Sequence, residues 1–320
     1  MHEFELINKY FSNLSSNNKS SLNLNDDVFF DKSKKLVISV DTYIEGIHFI
    51  DFKDPDLVIK KILRSSISDL ICKGVKPKYY FISAAGNNLL FRKNVLKKIT
   101  NSLKEEQRKY NIILAGGDTV YSKKITITIT SVGFAKKIIY RKKSLINDDI
   151  YVSGNLGDSF VGLSILKKKQ NTKDNNYFIS KYYKPDLPHN ILSCLNYYAS
   201  SSIDISDGLF IDLDRLINRT KVSFLLYLDL VPISKKLKSL LSSKKLKKIN
   251  FVSKGDDYQI LFTSPKKFRN QINKFSKDNR IRITRIGKIL NHKSKSKIID
   301  ETSKEILAKN KGYLHEFWWS

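Results

Sequence analysis

Two cysteines, one methionine and six prolines are all that 320 residues contain of these types. Cys72 and Cys194 stand alone, with no CxxC and no histidine at ligand spacing. That excludes a disulfide scaffold and a zinc knuckle, and fits a reducing compartment. No run approaches the roughly 18 consecutive apolar residues of a membrane span. The opening MHEFELINKY has early acids and no cationic-then-apolar pattern, so we expect no secretory leader and a cytoplasmic location. Also missing are GxxxxGK[ST], GxGxxG, the kinase HRD and DFG, HExxH, GxSxG and any Cys/His pair suited to covalent catalysis. Acids are scarce too, at 31 against 58 lysines and arginines.

The resulting formal charge of +27 points toward nucleic acid, since phosphate attraction dominates such binding. The composition argues otherwise. Only ten of the 58 cations are Arg, the side chain suited to bidentate phosphate contacts, and the lysines are spread over the whole chain. With no recognition motif beside the charge, we expect no nucleic-acid partner. The 41% hydrophobic content suffices for folded cores, and the length predicts two domains.

Along the chain, residues 12–25 are polar and read as a loop. KLVISVDT (35–42) reads as a strand ending in an acid and a hydroxyl. Asp54-Pro55 reads as an N-cap with proline in the first turn, opening a helix whose apolar residues recur from Ile59 to Ile71 and which Gly74 stops. A helix over 92–109 leads to a short strand at 112–115, followed by Gly116-Gly117-Asp118-Thr119. KITITITSVGF (124–134) alternates as a strand with one buried face. The polar stretch RKKSLINDDI (141–150) marks a boundary. Beyond it, IYVSGNLGDS reads as strand, glycine turn and helix, and SIDISDGLFIDLDRLIN as strand, acidic turn and helix. Further strands at 222–230, 257–263 and 281–289 bracket two lysine-rich helices, with 234–248 read as a solvated face. The expected fold class is α/β (α+β), with two domains, 1–140 and 141–320, each a mixed sheet flanked by helices.

Where acids are few, their placement carries information. Asp26, Asp27, Asp41, Asp69, Asp118, Asp204 and Asp207 fall at predicted strand ends, helix ends or glycine-flanked turns. Read singly, each is a turn former or helix cap. Read as a set, they are oxygen ligands for hard cations such as Mg²⁺, which work beside substrate phosphates. Converging carboxylates repel unless a cation separates them.

The segments NDDVFF (25–30), SVDTYIEGIHF (39–49), SDLICKGVKP (68–77), GGDT (116–119), SGNLGDS with GLSIL (153–166), IDISDGL (203–209) and KGDDYQILFT (254–263) occur in an order that resembles the thiamine-monophosphate kinase family. Its superfamily also holds aminoimidazole ribonucleotide synthetase and selenophosphate synthetase. The resemblance implies the aminoimidazole ribonucleotide synthetase-like fold, a homodimer, and transfer of the γ-phosphoryl of ATP to thiamine monophosphate. It implies several Mg²⁺ ions held by Asp27, Asp41, Asp69, Asp118, Asp204 and Asp207 with help from Ser39. It further implies nucleotide contacts from Tyr110, Gly117, Asp118, Arg141 and Ser206, with Tyr110 toward adenine, and a thiamine site lined by His48, Asp256 and Tyr313.

This chain departs from the family's pattern at Asn25 for glycine, Val40 for a hydroxyl residue, Asp256 for glutamate and Gln259 for an acid. Trp318 and Trp319 read as packing residues. Two alternatives stand beside the family reading. One is another enzyme of the superfamily that activates an amide or carboxylate oxygen. The other is a non-catalytic protein whose basic surface meets nucleic acid.

Overall fold

The computed structural model describes residues 3–218, 220–308, 312 and 313, so the tryptophans at 318 and 319 lie outside the described residues. The first half runs α1 (Glu3–Leu6), β1 (Phe29–Asp31), β2 (Leu36–Ile44), α2 (Pro55–Cys72), β3 (Pro77–Gly86), α3 (Lys93–Tyr110), β4 (Ile113–Tyr121) and β5 (Thr126–Phe134). The second begins with β6 (Asp149–Ser153), α4 (Asp158–Leu166), α5 (Asn175–Tyr183), α6 (Leu192–Tyr198), β7 (Ser201–Asp204) and α7 (Leu209–Leu216). It closes with β8 (Val222–Tyr227), α8 (Lys235–Ser243), α9 (Ile249–Val252), β9 (Ile260–Ser264), α10 (Arg269–Asp278), β10 (Ile283–Asn291) and β11 (Lys297–Ile299).

The strands form two sheets, in the orders β1-β2-β5-β3-β4 and β11-β8-β10-β6-β9-β7. Each is mixed: β3 runs parallel to β4 and β11 parallel to β8, and all other pairings are antiparallel. No helix among the described residues is long and apolar enough to cross a membrane.

Helix α2 positions the site. Fourteen of its 18 residues are buried, among them Lys61, Arg64, Ser65, Ser66 and Ser68. A helix buried on nearly every side lies between layers rather than on a surface. Its apolar residues Ile59, Ile62, Leu63 and Ile67 join one core with Ile127 and Ile129 of the first sheet and Ile260 and Phe262 of the second. Gly74, at φ +74°, ends it.

Three local expectations change. Asp54 precedes α2, but its side chain makes no capping bond; its carbonyl accepts from Leu57 (3.0 Å) and Val58 (3.1 Å), as proline at the first helical position still allows. The polar stretch 12–25 contains 3₁₀ turns, at Ser12–Ser15 and Lys19–Leu24. Gly116 to Thr119 do not follow a strand but lie inside β4, which continues to Tyr121. Glycine serves there because β3 and β4 approach closely: a Cβ on Gly117 would fall 1.8 Å from the Ile82 carbonyl oxygen.

Candidate active site

Three segments bring acids to the buried end of α2. Strand β2 turns Val37, Ser39 and Tyr43 inward, and Asp41 lies in the same alternating set. Helix α2 supplies Ser68 and Asp69, and β7 ends in the buried Asp204. The Ser39 hydroxyl donates to Asp69, and Ser68 donates to Asp204. Asp41 lies within hydrogen-bonding reach of Asp69, Tyr43 and Ser66.

The electrostatics follow from crowding. Desolvation, reinforced by Asp27, pushes Asp41 up to about 6 from the ordinary aspartate value of 3.8, although hydrogen bonds oppose the rise. Desolvation and then Asp27 take Asp204 to about 7. Desolvation, followed by the charges of Asp41, Asp204 and Asp27, holds Asp69 well above the normal range. At neutral pH this group is under strain that a cation would relieve.

The donors are carboxylates and hydroxyls, the set that suits a hard divalent ion. Among the described residues no three His, Cys, Asp or Glu side chains converge closely enough to cage an ion by themselves.

Asp27 reaches this group differently. Its carboxylate pairs with the Lys73 ammonium at 2.6 Å and with Arg141 at 3.4 Å. Burial raises its pKa, but Arg141 and Lys73 outweigh burial and hold it below the ordinary value. Arg141 also hydrogen-bonds through its backbone N–H to Asp26 at 3.1 Å.

The loop after β7 crosses the loop before β9. Asp256 N–H donates to the Ser206 carbonyl and Tyr258 N–H to the Ile205 carbonyl, each at 2.8 Å. The approach is tight enough that a Cβ on Gly255 would meet the Ser206 carbonyl oxygen at 1.9 Å. Asp256 (φ +68°) and Tyr258 (φ +51°) are both left-handed, an uncommon state for an aromatic residue that the crossing imposes. Asp207 pairs with Arg215, which also holds Asp212 at 3.0 Å. The Tyr313 N–H donates to the Asp207 carbonyl at 3.0 Å, and its ring stands half exposed beside the crossing.

Asp256 connects to α2 through Lys61, whose buried ammonium lies 2.5 Å from Oδ1 and 4.1 Å from the Tyr182 ring centroid. The Tyr258 hydroxyl reaches the same Oδ1 at 3.1 Å. Tyr182 in turn donates to the His48 carbonyl at 3.2 Å, and His48 Nδ1 accepts from Ile44 N–H at 3.0 Å. His48, Asp256 and Tyr313 thus belong to one neighbourhood. Gln259 is buried and engaged elsewhere, accepting from Ser153 and donating to the Asp186 carbonyl, each at 2.7 Å.

Asp118 and Tyr110 stand apart. In register, Asp118 aligns with Ser83, Thr128 and Thr42, whereas Asp41 aligns with Ile129, Ile82 and Gly117. Successive strand residues point to opposite faces, so Asp118 lies on the other, exposed face of the sheet from Asp41. Tyr110 is buried at the end of α3 against His189, at 5.6 Å between ring centroids, and against Arg64 at 5.7 Å.

Sequence reasoning missed Lys61, Ser68, Lys73, Tyr182 and Arg215. A signal existed for some of them: Lys61, Ser65, Ser68 and Cys72 recur at three- and four-residue spacing along a helix otherwise rich in Ile and Leu. A polar stripe on a helix with no exposed face must meet polar partners.

Two mixed sheets with an acidic centre at their junction define a class, and residues 25–135 match the family model described as AIR synthase related protein, N-terminal domain. The thiamine-monophosphate kinase of Buchnera aphidicola subsp. Acyrthosiphon pisum is 34% identical over 329 residues, covering 98% of both chains. That of Haemophilus influenzae is 31% identical over 297 residues, covering 90% of this chain and 89% of the relative. The structure of AaThiL complexed with AMPPCP and TMP superposes with a TM-score of 0.84 at 27% identity, covering 98% of this chain and 97% of that one. The chain belongs to the thiamine-monophosphate kinase family.

Proposed function

We propose that the junction of the two sheets is the phosphoryl-transfer centre of an ATP-dependent thiamine-monophosphate kinase. The chain is a kinase: it transfers the γ-phosphoryl group of ATP to thiamine monophosphate, giving thiamine diphosphate and ADP. The observation that carries the placement is the meeting of Asp41, Asp69 and Asp204 from three segments at the buried end of α2.

The acceptor explains what the site lacks. A phosphate monoester has a second pKa near 6, so its oxygens are already anionic at neutral pH and no general base is required. The obstacle is repulsion between two polyanions brought into line. In this reading Asp41, Asp69 and Asp204, with Ser39 orienting Asp69, would hold Mg²⁺, which would supply the positive charge that offsets this repulsion. Asp118, across the sheet, is left out of this set, and Asp207 is engaged by Arg215. In the same reading Arg141, beside Asp26 and Asp27, serves the phosphate end, and Ser206, whose carbonyl accepts from Asp256 N–H, serves the nucleotide. His48, Asp256 and Tyr313 line the thiamine end. Lys61 and the Tyr258 hydroxyl both bind Oδ1 of Asp256, which leaves Oδ2 to accept from the substrate's aminopyrimidine.

We also propose a homodimer paired through the first sheet, and a cytoplasmic location in keeping with two free buried cysteines. Edge strand β4 supports the pairing: all nine of its residues are exposed, including Ile113, Leu114, Val120 and Tyr121. A long apolar edge of this kind is a template for another chain unless a partner covers it.

The direct test is ADP release from ATP and Mg²⁺ with and without thiamine monophosphate, with the thiamine product separated by chromatography. Stoichiometric thiamine diphosphate is the expected result. ATP hydrolysis without that product would overturn the acceptor.

A further inference from the structure

Lys73 has no solvent exposure. Its ammonium has three N–H donors, and three acceptors surround it: Asp26 Oδ1 at 2.7 Å, Asp27 Oδ2 at 2.6 Å and the Ser202 carbonyl at 2.9 Å. The backbone around it is held as well. Its N–H donates to the Leu70 carbonyl at 3.1 Å, and its carbonyl accepts from Ile139 N–H at 3.1 Å. Ser202, from β7, donates its hydroxyl to the Cys72 carbonyl. The ammonium is therefore fixed where the Asp26-Asp27 turn, the end of α2 and β7 meet.

A lysine ammonium is a compact, strongly hydrated charge, and burying it is costly unless anions and hydrogen bonds replace its water. Here two carboxylates and one carbonyl do so. The other acids of the centre are partnered differently: Asp69 and Asp204 receive serine hydroxyls, and Asp41 faces Asp69, Tyr43 and Ser66. Of the carboxylates implied as metal ligands at this centre, Asp27 alone has a lysine and an arginine on it.

We propose that Lys73 is a resident cation that takes the place of one divalent ion at Asp27, so that metal binds at Asp41, Asp69 and Asp204 without Asp27. A divalent ion at Asp27 Oδ2 would have to displace an ammonium that has no solvent exposure, and one at Oδ1 would meet the Arg141 guanidinium at 3.4 Å. The charge required at that corner is therefore built into the polypeptide. This rests on reading the centre as a divalent-metal site, and the experiment separates the two.

The experiment counts Mn²⁺ bound per chain by electron paramagnetic resonance of the free ion, in wild type and in Lys73→Met, Asp27→Asn and Asp69→Asn. Methionine keeps the length and apolar stem of lysine and removes the charge. Lys73→Met is expected to gain one Mn²⁺ per chain, or to bind Mn²⁺ at least tenfold more tightly. Asp27→Asn is expected to keep the wild-type count, and Asp69→Asn to lose at least one ion. An unchanged count and affinity in Lys73→Met, or loss of an ion in Asp27→Asn, overturns the resident cation while the metal site stands. An unchanged count in Asp69→Asn overturns the metal site and the proposal with it. Should Lys73→Met fail to fold, the Asp27→Asn count decides alone, since asparagine is isosteric there and its one carbonyl oxygen can still accept from Lys73.

Discussion

At the scale of single residues, the site sets stability against function. Asp41 is held near 6 because protein and like charges surround it. Asp41→Asn removes that penalty along with a proposed metal ligand. We expect turnover to fall at least about 100-fold, as for loss of a principal electrostatic group, while the metal-free chain gains about 1–3 kcal/mol at pH 8, the worth of a shift of this size. Steady-state kinetics and chemical denaturation in EDTA measure the two effects, and near-normal kcat would end the metal-scaffold account. In the proposed thiamine site Lys61 acts through Asp256, as a positioning residue. Lys61→Met should raise KM for thiamine monophosphate roughly tenfold, about 1.4 kcal/mol, and change kcat much less. A variant that loses kcat and keeps KM would place Lys61 in the chemistry instead.

At the scale of elements, β4 carries the sharpest expectations. Gly117→Ala puts a methyl 1.8 Å from the Ile82 carbonyl oxygen, so β3 and β4 cannot keep their spacing. A destabilisation of about 2–4 kcal/mol is expected from such backbone conflict, measured by urea unfolding. Val120→Lys charges the exposed edge. It should convert a dimer to monomers in sedimentation velocity without altering monomer far-UV circular dichroism, and a wild type that sediments as a monomer would end the pairing proposal. Much at this scale was legible in the chain. Helix α2 announced itself through Pro55, its apolar repeat and Gly74, and β2, β5, β6 and β10 through apolar alternation or runs. The continuation of β4 through Gly116 and Gly117 was not legible, because glycine reads as a turn wherever its tolerance for close approach is what the fold uses.

At the scale of the whole molecule, pH tests the acidic centre. An acid held above its ordinary value is still protonated in the folded chain where the unfolded chain is ionised. Asp41 at about 6 and Asp204 at about 7, against 3.8, make the metal-free folded chain bind more protons across that window. Stability in EDTA should therefore be greatest near the bottom of the window and decline as pH rises toward about 7. Mg²⁺ with an ATP analogue should restore it, most at the upper end, because ligand binding to the folded state adds stability. Thermal unfolding at pH 5, 6, 7 and 8 with and without the ligands makes the comparison. A midpoint in EDTA that climbs steadily over this range would contradict the raised values.

The sequence by itself determined many of the elements, the mixed α/β class and, through ordered short segments such as IDISDGL and KGDDYQILFT, the family. Those are local matters of periodicity, turn chemistry and residue type. Tertiary structure alone decided which acids share a centre. Asp41 and Asp118 read alike in the chain, yet strand alternation puts them on opposite faces of one sheet. Asp27 and Asp69 read alike too, but packing of the Asp26-Asp27 turn against the end of α2 gives one the Lys73 ammonium, and packing of β2 against α2 gives the other the Ser39 hydroxyl. Pairing at a distance depends on register and on which layer covers which, and neither is written in any one segment.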